Sequence, residues 1–185
     1  MKDLRWKTLS TKYLFTDNWL TLRADTCEMP DGKIVSPYYV YEFPDWVIAV
    51  ALTADGKFIL ERQYRQAAGI TSIELPGGCV DPGDASLEAA LRRELLEETG
   101  YAFESVEFLG RVSANPSTNS NWAHLYLATG GRHEGEQNLD PNEEIEVCLY
   151  TVEELRQLLR GNGVVQSMHM AAFFYAFQRL GYWNL

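Results

Sequence analysis

One helical segment, preceded by a glycine-rich loop, constrains this chain more than any other feature. Residues 86–99 read SLEAALRRELLEET, with Ser86 as an N-cap candidate, strong helix formers throughout and Gly100 as the stop. Directly before them, residues 76–83 read PGGCVDPG, a composition that breaks both helix and strand. The sequence therefore predicts a loop that leads into the amino end of a long helix.

Strands are predicted on both sides of this helix. Residues 7–43 have strand character around a turn at 30–33, and the apolar run 46–52 is typical of a strand buried on both faces. The other predicted elements are strands 19–24 and 34–43 within the first segment, strands 58–62, 73–75, 106–112, 124–129 and 145–150, a helix from Thr151 to about 159 and a helix at 167–180. This mixture, which lacks strict alternation, favours a mixed sheet between helices.

Composition narrows the class of protein. At 185 residues the chain fits one domain with a small appendage, and its formal net charge of −10 argues against a nucleic-acid-binding surface, which needs clustered Lys and Arg. Three widely spaced cysteines indicate a reducing compartment. The first ten residues lack an apolar signal core and no apolar stretch has the length of a membrane span, so we expect a cytoplasmic protein without a membrane partner.

Three carboxylates share one face of the predicted helix, because Glu94, Glu97 and Glu98 stand at positions i, i+3 and i+4. A solvated acidic face, relieved by Arg92 and Arg93, is the ordinary interpretation of such a cluster. The glycine loop favours another, since it allows backbone carbonyls to turn toward the helix, and hard oxygen ligands are what Mg²⁺ requires. The three glutamates are therefore candidate ligands of a divalent cation.

The stretch from Gly78 to Tyr101 resembles the Nudix box, GX5EX7REUXEEXGU, in which U is apolar or aromatic. Its second half, RELLEETGY, begins at Arg93 and matches at every specified position. The first half departs, because the segment is one residue longer and the first Glu of the pattern falls on Asp84 or Ala85, according to the register. In the family that Glu braces the loop against the helix arginine. The departure therefore concerns loop geometry and rate rather than the class of reaction.

Further stretches resemble the ADP-ribose pyrophosphatase subgroup of the Nudix hydrolases. RQYR at residues 62–65 and ELPGG at residues 74–78 are similar to motifs of that subgroup, and Pro116 lies where the subgroup has a proline. An ordinary loop proline is the alternative for Pro116. The residues that follow, STNSN, lack the acidic residue that many members carry in this loop, which leaves the sugar specificity open.

The resemblance implies an α/β fold, a Nudix α/β/α sandwich with a mixed sheet, over residues 44–185. Residues 1–43 would form a small N-terminal antiparallel β unit, which in the subgroup crosses to the partner subunit of a homodimer and helps to build the substrate pocket. The implied reaction is hydrolysis, dependent on Mg²⁺ with Mn²⁺ as an alternative, of the pyrophosphate bond of ADP-ribose or a related nucleoside diphosphate sugar.

The metal ligands that the resemblance implies are the carboxylates of Glu94, Glu97 and Glu98 and the carbonyl of Gly77. In this family a further glutamate from a late loop usually joins them as ligand or base. Residues 142–146, NEEIE, are where it should fall, with Glu143 preferred and Glu144 second. A solvated turn is the alternative for both residues.

Two candidates for substrate contact lie outside the box. The planar fork of Arg65 matches phosphate oxygens, although a surface ion pair is the alternative. Trp19 is placed by the resemblance to stack on the nucleobase, against ordinary packing in its sheet. Cys79 has no accompanying His base in the sequence, and His124 alternates within a predicted strand, so both are interpreted as structural.

Two other functions compete with this hypothesis. The same fold can act on another nucleotide sugar, such as GDP-mannose or ADP-glucose, and a ligand-sensing Nudix domain binds without hydrolysis. Sensors typically lose the Glu cluster or carry an added DNA-binding domain, and neither applies to this sequence. Release of AMP that depends on metal separates the enzyme from the sensor.

Overall fold

The computed structural model describes residues 1–17 and 19–182. Its elements in chain order are β1 Lys7–Thr16, β2 Thr21–Glu28, β3 Ile34–Glu42, β4 Trp46–Thr53, β5 Phe58–Arg65, β6 Ile70–Glu74, β7 Gly77–Cys79, α1 Leu87–Thr99, β8 Tyr101–Ala102, β9 Ser105–Val112, β10 Ala123–His133, β11 Ile145–Tyr150, α2 Val152–Arg160 and α3 Ser167–Leu180. They form two compact units, Met1–Pro44 together with Ser113–Asn121, and the remainder of the chain.

The amino-terminal unit contains an antiparallel sheet in the order β1-β2-β3. Its second strand corrects a prediction, because it begins at Thr21 and not at Trp19. The Asp17 carboxylate accepts the N–H groups of Trp19 and Leu20, each at 2.8 Å, and so holds both residues in a turn. Trp19 therefore stands before the strand, and 75% of it is exposed.

The segment Ser113–Asn121 belongs to this unit through backbone pairing with strand β3. The Tyr41 N–H donates to the Thr118 carbonyl at 2.7 Å, and the Tyr41 carbonyl accepts the Ser120 N–H at 3.1 Å. The Tyr38 hydroxyl also donates to the Ser117 carbonyl at 2.6 Å. These bonds fix the loop that carries Pro116.

The second unit is built on an eight-stranded mixed sheet with the central order β11-β5-β4-β10-β8. Strands β4 and β10 run parallel, while β6 on β5, β7 on β4 and β9 on β10 pair antiparallel. The parallel pair lies at the centre, where an almost continuously apolar strand such as β4 is buried on both faces.

Helices cover both faces of this sheet. Val47 and Ala49 of β4 pack with Leu91 and Leu95 of α1, whereas the alternate residues of β4 pack with apolar side chains of α2 and α3, among them Phe173. The α/β/α sandwich with a mixed sheet, and the separate antiparallel sheet before it, confirm the predicted fold class. Among the described residues, no helix combines the length and apolar character needed to cross a membrane.

Candidate active site

Helix α1 begins and ends where the sequence predicts. The Ser86 side chain accepts the Ala89 N–H at 3.1 Å as the N-cap, and Gly100 ends the helix with φ 73°, its N–H donating to the Leu96 carbonyl. Leu91 and Leu95 anchor one face of the helix in the core, and Glu94 and Glu98, each three positions further along, contact the loop before the helix.

Two glycines bring this loop against the sheet and the helix. Gly77 has φ 145°, and a Cβ there would lie 2.1 Å from the Val47 carbonyl oxygen. A Cβ on Gly78 would lie 2.5 Å from the carboxyl carbon of Glu94. Position 77 requires glycine, because its φ is positive and the clash is with backbone, and strand β7 can therefore pair with β4. At Gly78 the missing side chain leaves the space that the Glu94 carboxylate occupies.

Glu98 is the carboxylate most firmly attached to the loop. Its Oε2 accepts the Gly77 N–H at 2.8 Å, and only 7% of the residue is exposed. Burial raises the pKa of Glu98 to about 8, with the charges of Glu94 and Glu143 acting in the same direction against the Gly77 hydrogen bond. Burial likewise raises the pKa of Glu94 to about 7, against the opposing charge of Arg93. Such a pocket favours a cation that would offset the buried negative charge.

Arg93 joins the helix carboxylates to the loop. Its Nη1 donates to Glu94 Oε1 and to Glu97 Oε2, both at 3.0 Å, and its Nη2 donates to the Cys79 carbonyl at 3.2 Å. Its Nε and Nη2 also bind the two oxygens of Asp84, at 3.1 and 3.0 Å. Asp84 therefore braces the loop, although the glutamate expected for that task is absent.

Arg65 forms a bidentate ion pair with Glu74 across the neighbouring strands β5 and β6. Its Nε and Nη2 lie 3.0 and 2.7 Å from the two carboxylate oxygens of Glu74, which is 3% exposed. Burial opposes ionisation of Glu74, but the hydrogen bonds from Arg65 prevail and lower its pKa. The Arg65 side chain itself remains 49% exposed, so one edge of its guanidinium is open to a ligand.

The late loop contributes Glu143 and Glu144 in different ways. Glu143 lies close enough to Glu94 and Glu98 for its charge to raise the pKa of both. Its Oε2 also accepts the Asp140 N–H at 3.1 Å, which closes a turn. Glu144 is exposed and lines a shallow cleft with Arg62 and other residues of the neighbouring strands. Of the two, Glu143 is the residue that the fold brings to the helix carboxylates.

Trp19 and Pro116 both belong to the amino-terminal unit. Trp19 follows the Asp17 turn and Pro116 begins a turn in the segment paired with strand β3, and both are exposed. Their contact with substrate stays a prediction.

Glu61 is a buried carboxylate near Glu98 that the sequence did not single out. It lies on strand β5 two positions after Ile59, on the face that packs against α1, and it is 4% exposed. Its buried Oε1 has no hydrogen-bond partner. Burial raises its pKa well above the usual range for glutamate, and Glu98 and Glu74 add to the effect. The available signal was a single acidic residue two positions after Ile59, on the face of the strand that begins in the apolar core.

The donor chemistry of this region fits a divalent cation. Glu94, Glu97 and Glu98 offer carboxylate oxygens, the glycine loop lets the Glu94 carboxylate lie against its backbone, and Glu61 adds a buried oxygen without a partner. Within residues 1–17 and 19–182, no three His, Cys, Asp or Glu side chains are already gathered around one point. One reason is that the Arg93 guanidinium lies between the Glu94 and Glu97 carboxylates and binds both.

Cys79 and His124, interpreted as structural from the sequence, have the following surroundings. Partial desolvation and the charge of Glu94 raise the pKa of the Cys79 thiol, which disfavours the nucleophilic thiolate. The Nε2 atom of His124 lies 2.8 Å from the Asp45 carboxylate, and the Asp45 carboxylate also accepts the Trp122 N–H. This pair ties the start of strand β10 to the start of the parallel strand β4.

Comparison with known proteins agrees with this geometry. A model described as the NUDIX domain matches residues 43–169, and one described as the nucleoside diphosphate sugar hydrolase N-terminal domain matches residues 6–41. A solved structure titled "Crystal structure of ADP compounds hydrolase" has the same fold, with a TM-score of 0.84 and 23% identity over 100% of both chains.

Curated relatives cover most of the chain. The ADP-ribose pyrophosphatase of Bacillus subtilis is 30% identical over 95% of this chain and 94% of its own, and that of Mycobacterium tuberculosis is 31% identical over 92% and 83%. The methanol dehydrogenase activator of Bacillus methanolicus is 30% identical over 91% of both. The chain therefore belongs to the Nudix hydrolase family and is an enzyme related to the ADP-ribose pyrophosphatases.

Proposed function

We propose that this enzyme hydrolyses the pyrophosphate bond of ADP-ribose, or of a related nucleoside diphosphate sugar, to a nucleoside monophosphate and a sugar phosphate. The observation that carries the proposal is the placement of Glu94 and Glu98 against the glycine turn, with Glu97 joined to Glu94 through Arg93. Two relatives named ADP-ribose pyrophosphatase support this choice of substrate.

Mg²⁺, with Mn²⁺ as an alternative, would be held by Glu94, Glu97, Glu98 and the carbonyl of Gly77. An ion bound there would neutralise the charge of the phosphates and polarise a phosphoryl oxygen. The raised pKa values of Glu94 and Glu98 support this assignment, because buried carboxylates that repel one another are stabilised in their ionised form by a cation.

The protein residues position the reactants and move one proton. Glu143, whose charge acts on Glu94 and Glu98, accepts a proton from the attacking water. The water oxygen forms a bond to one phosphorus while the bond from that phosphorus to the bridging oxygen breaks, and the bridging oxygen leaves on the second product. Arg65 directs the open edge of its guanidinium to a phosphate or to the ribose, and Arg93 keeps the loop and the helix together.

A homodimer formed through the amino-terminal unit is part of this proposal. Every residue of strand β1 is exposed, and four of its apolar side chains are close to half exposed or more: Leu9, Tyr13, Leu14 and Phe15. Apolar surface of this kind on a small sheet favours association with another chain. In the dimer, Trp19 and Pro116 would contact the nucleotide sugar. The enzyme would act in the cytoplasm.

The test is an assay of ADP-ribose, GDP-mannose and ADP-glucose with Mg²⁺, in which the products are separated and identified. We expect AMP and ribose 5-phosphate from ADP-ribose, and loss of turnover in excess EDTA that added Mg²⁺ or Mn²⁺ restores. Faster release of product from GDP-mannose or ADP-glucose would identify that nucleotide sugar as the preferred substrate. Binding without product would indicate a sensor, and full turnover in EDTA would remove the metal from the mechanism.

A further inference from the structure

Glu61 is a buried carboxylate that the mechanism above does not use. It lies in the interior of strand β5, only 4% of it is exposed, and its Oε1 accepts no hydrogen bond. Buried carboxylates normally have partners, because losing hydration without compensation destabilises the ionised group. The residues around Glu61 must therefore explain why this buried oxygen has no partner.

The surroundings of Glu61 are strongly acidic. Glu74 stands directly opposite it in the register of β5 and β6, and the charges of Glu98 and Glu143 also act on it. Directly opposed like charges on neighbouring strands destabilise a sheet. The charge of Arg65 opposes this repulsion, but two of the Arg65 donors already bind Glu74. The side of the pocket next to Glu98 therefore has more negative charge than the protein neutralises.

We propose that Glu61 is an additional oxygen ligand of the divalent cation, approaching it from the sheet while Glu98 approaches from helix α1. Glu61 faces α1, because it shares the face of β5 with Ile59, which packs against Leu91 and Leu95. A cation between the strand and the helix would provide the missing partner of Oε1 and offset the charge shared with Glu98. The inference rests on the metal site of the proposed function.

The test is a titration of the intact protein with Mn²⁺ alone, without substrate, in which free Mn²⁺ is counted by electron paramagnetic resonance. Glu61→Gln keeps the shape of the side chain and removes its charge, and it should weaken Mn²⁺ binding by at least about 10-fold. The matched control is Glu146→Gln on the adjacent strand β11, where the carboxylate is 63% exposed and pairs with Arg62 on the surface. That variant should bind Mn²⁺ like the wild type.

A second variant separates a metal ligand from a residue that only shapes the pocket. Glu61→Leu fills the same space without a donor oxygen, and in EDTA it should melt at or above the temperature of the wild type, while Mn²⁺ raises its Tm less. Unchanged Mn²⁺ affinity and stoichiometry in both Glu61 variants would overturn the inference and leave the proposed function intact. If the wild type itself binds no Mn²⁺, the inference falls together with the metal requirement.

Discussion

Arg93 binds Asp84 through two parallel hydrogen bonds, Nε to Oδ1 at 3.1 Å and Nη2 to Oδ2 at 3.0 Å. The same carboxylate accepts the Asp81 N–H at 2.8 Å, so one side chain closes the loop and attaches it to the helix. Hydrogen bonding by Arg93 lowers the pKa of Asp84. Asp84 departs from the family pattern, but it makes the contact with the helix arginine that the first glutamate of the pattern makes in the family.

Asp84→Asn should reduce turnover by about 10-fold. Loss of the Asp84 charge weakens its hydrogen bonds to Arg93, and these bonds orient the guanidinium that binds Glu94 and Glu97. Asp81→Asn is the matched control: Asp81 lies 3.6 Å from the same guanidinium but is 65% exposed. Steady-state kinetics on both variants, with thermal melting to check the fold, measures the difference. Equal losses would mean that the loop needs negative charge and not this particular brace.

The sequence predicts those parts of the fold whose signals are local. Helix α3 runs over the predicted range, and α2 begins with the expected capping box between Thr151 and Glu154, because caps and periodicity act within a few residues. Strands β7 and β8 have three and two residues, too few to show a pattern, and they exist only through pairing with β4 and β10. Such pairing depends on contacts distant in sequence.

In the candidate site too, residues with local sequence signals could be predicted, and residues placed by long-range contacts could not. The spacing of Glu94, Glu97 and Glu98 places them on one helix face, and the structure leaves them there. For Glu61 the sequence offers only an acidic residue within a predicted strand, since its place opposite Glu74 depends on the strand register. The role of Asp84 depends on a loop one residue longer than the pattern, whose course no local rule specifies.

Glu97→Gln and Glu98→Gln should each lower turnover by more than about 100-fold, because each removes a charge from the proposed cation site. Glu88→Gln should leave turnover within a few-fold of the wild type. Glu88 lies on the same helix, but it is exposed and pairs with Arg92 at 2.9 Å. The check is kcat at saturating Mg²⁺ for the three variants. Similar losses in all three would indicate that the helix needs only its overall acidity.

Arg65→Lys should raise the KM for the nucleotide sugar by about 10-fold, since an ammonium cannot bind Glu74 with two parallel bonds and still present a planar edge to phosphate. Arg62→Lys, three residues earlier on strand β5, should change neither kcat nor KM. Arg62 is 54% exposed and pairs with Glu146. If Arg65 serves only to neutralise Glu74, its variant will melt at a lower temperature with an unaltered KM.

His169 should make the protein less stable as the pH falls below neutrality. Its Nδ1 accepts the Leu75 N–H at 3.0 Å, and burial lowers its pKa from 6.5 to about 4, against the opposing charge of Glu74. Because the unfolded chain binds this proton more readily, the contribution of neutral His169 is complete above pH 6.5 and declines toward pH 4.

His169→Gln keeps an acceptor for Leu75 but does not titrate, so it isolates this effect. The difference in Tm between the wild type and the variant, measured in EDTA, should shrink from about pH 7 to about pH 5. The carboxylates with raised pKa values, Glu61, Glu94 and Glu98, change stability in the opposite direction, and they do so in both proteins. A pH-independent difference would show that His169 does not titrate during unfolding.

Trp19→Ala should raise the KM for the nucleotide several-fold, without altering the metal requirement or the oligomeric state. The indole is 75% exposed beside the Asp17 turn, so packing within its own unit leaves most of the ring free to stack on a base. Trp6→Ala is the control, because Trp6 contacts Tyr38 edge-on within the same unit and has no proposed contact with substrate.

A point variant is preferable to removing residues 1–43, because the deletion would also free the segment Ser113–Asn121 from Tyr41. We expect the deletion to yield a monomer with a much higher KM, while Trp19→Ala changes KM alone. Sedimentation, melting temperature and KM measured on the Trp19 variant separate the two roles of the tryptophan. A lower Tm with an unchanged KM would assign Trp19 to packing and remove it from the substrate site.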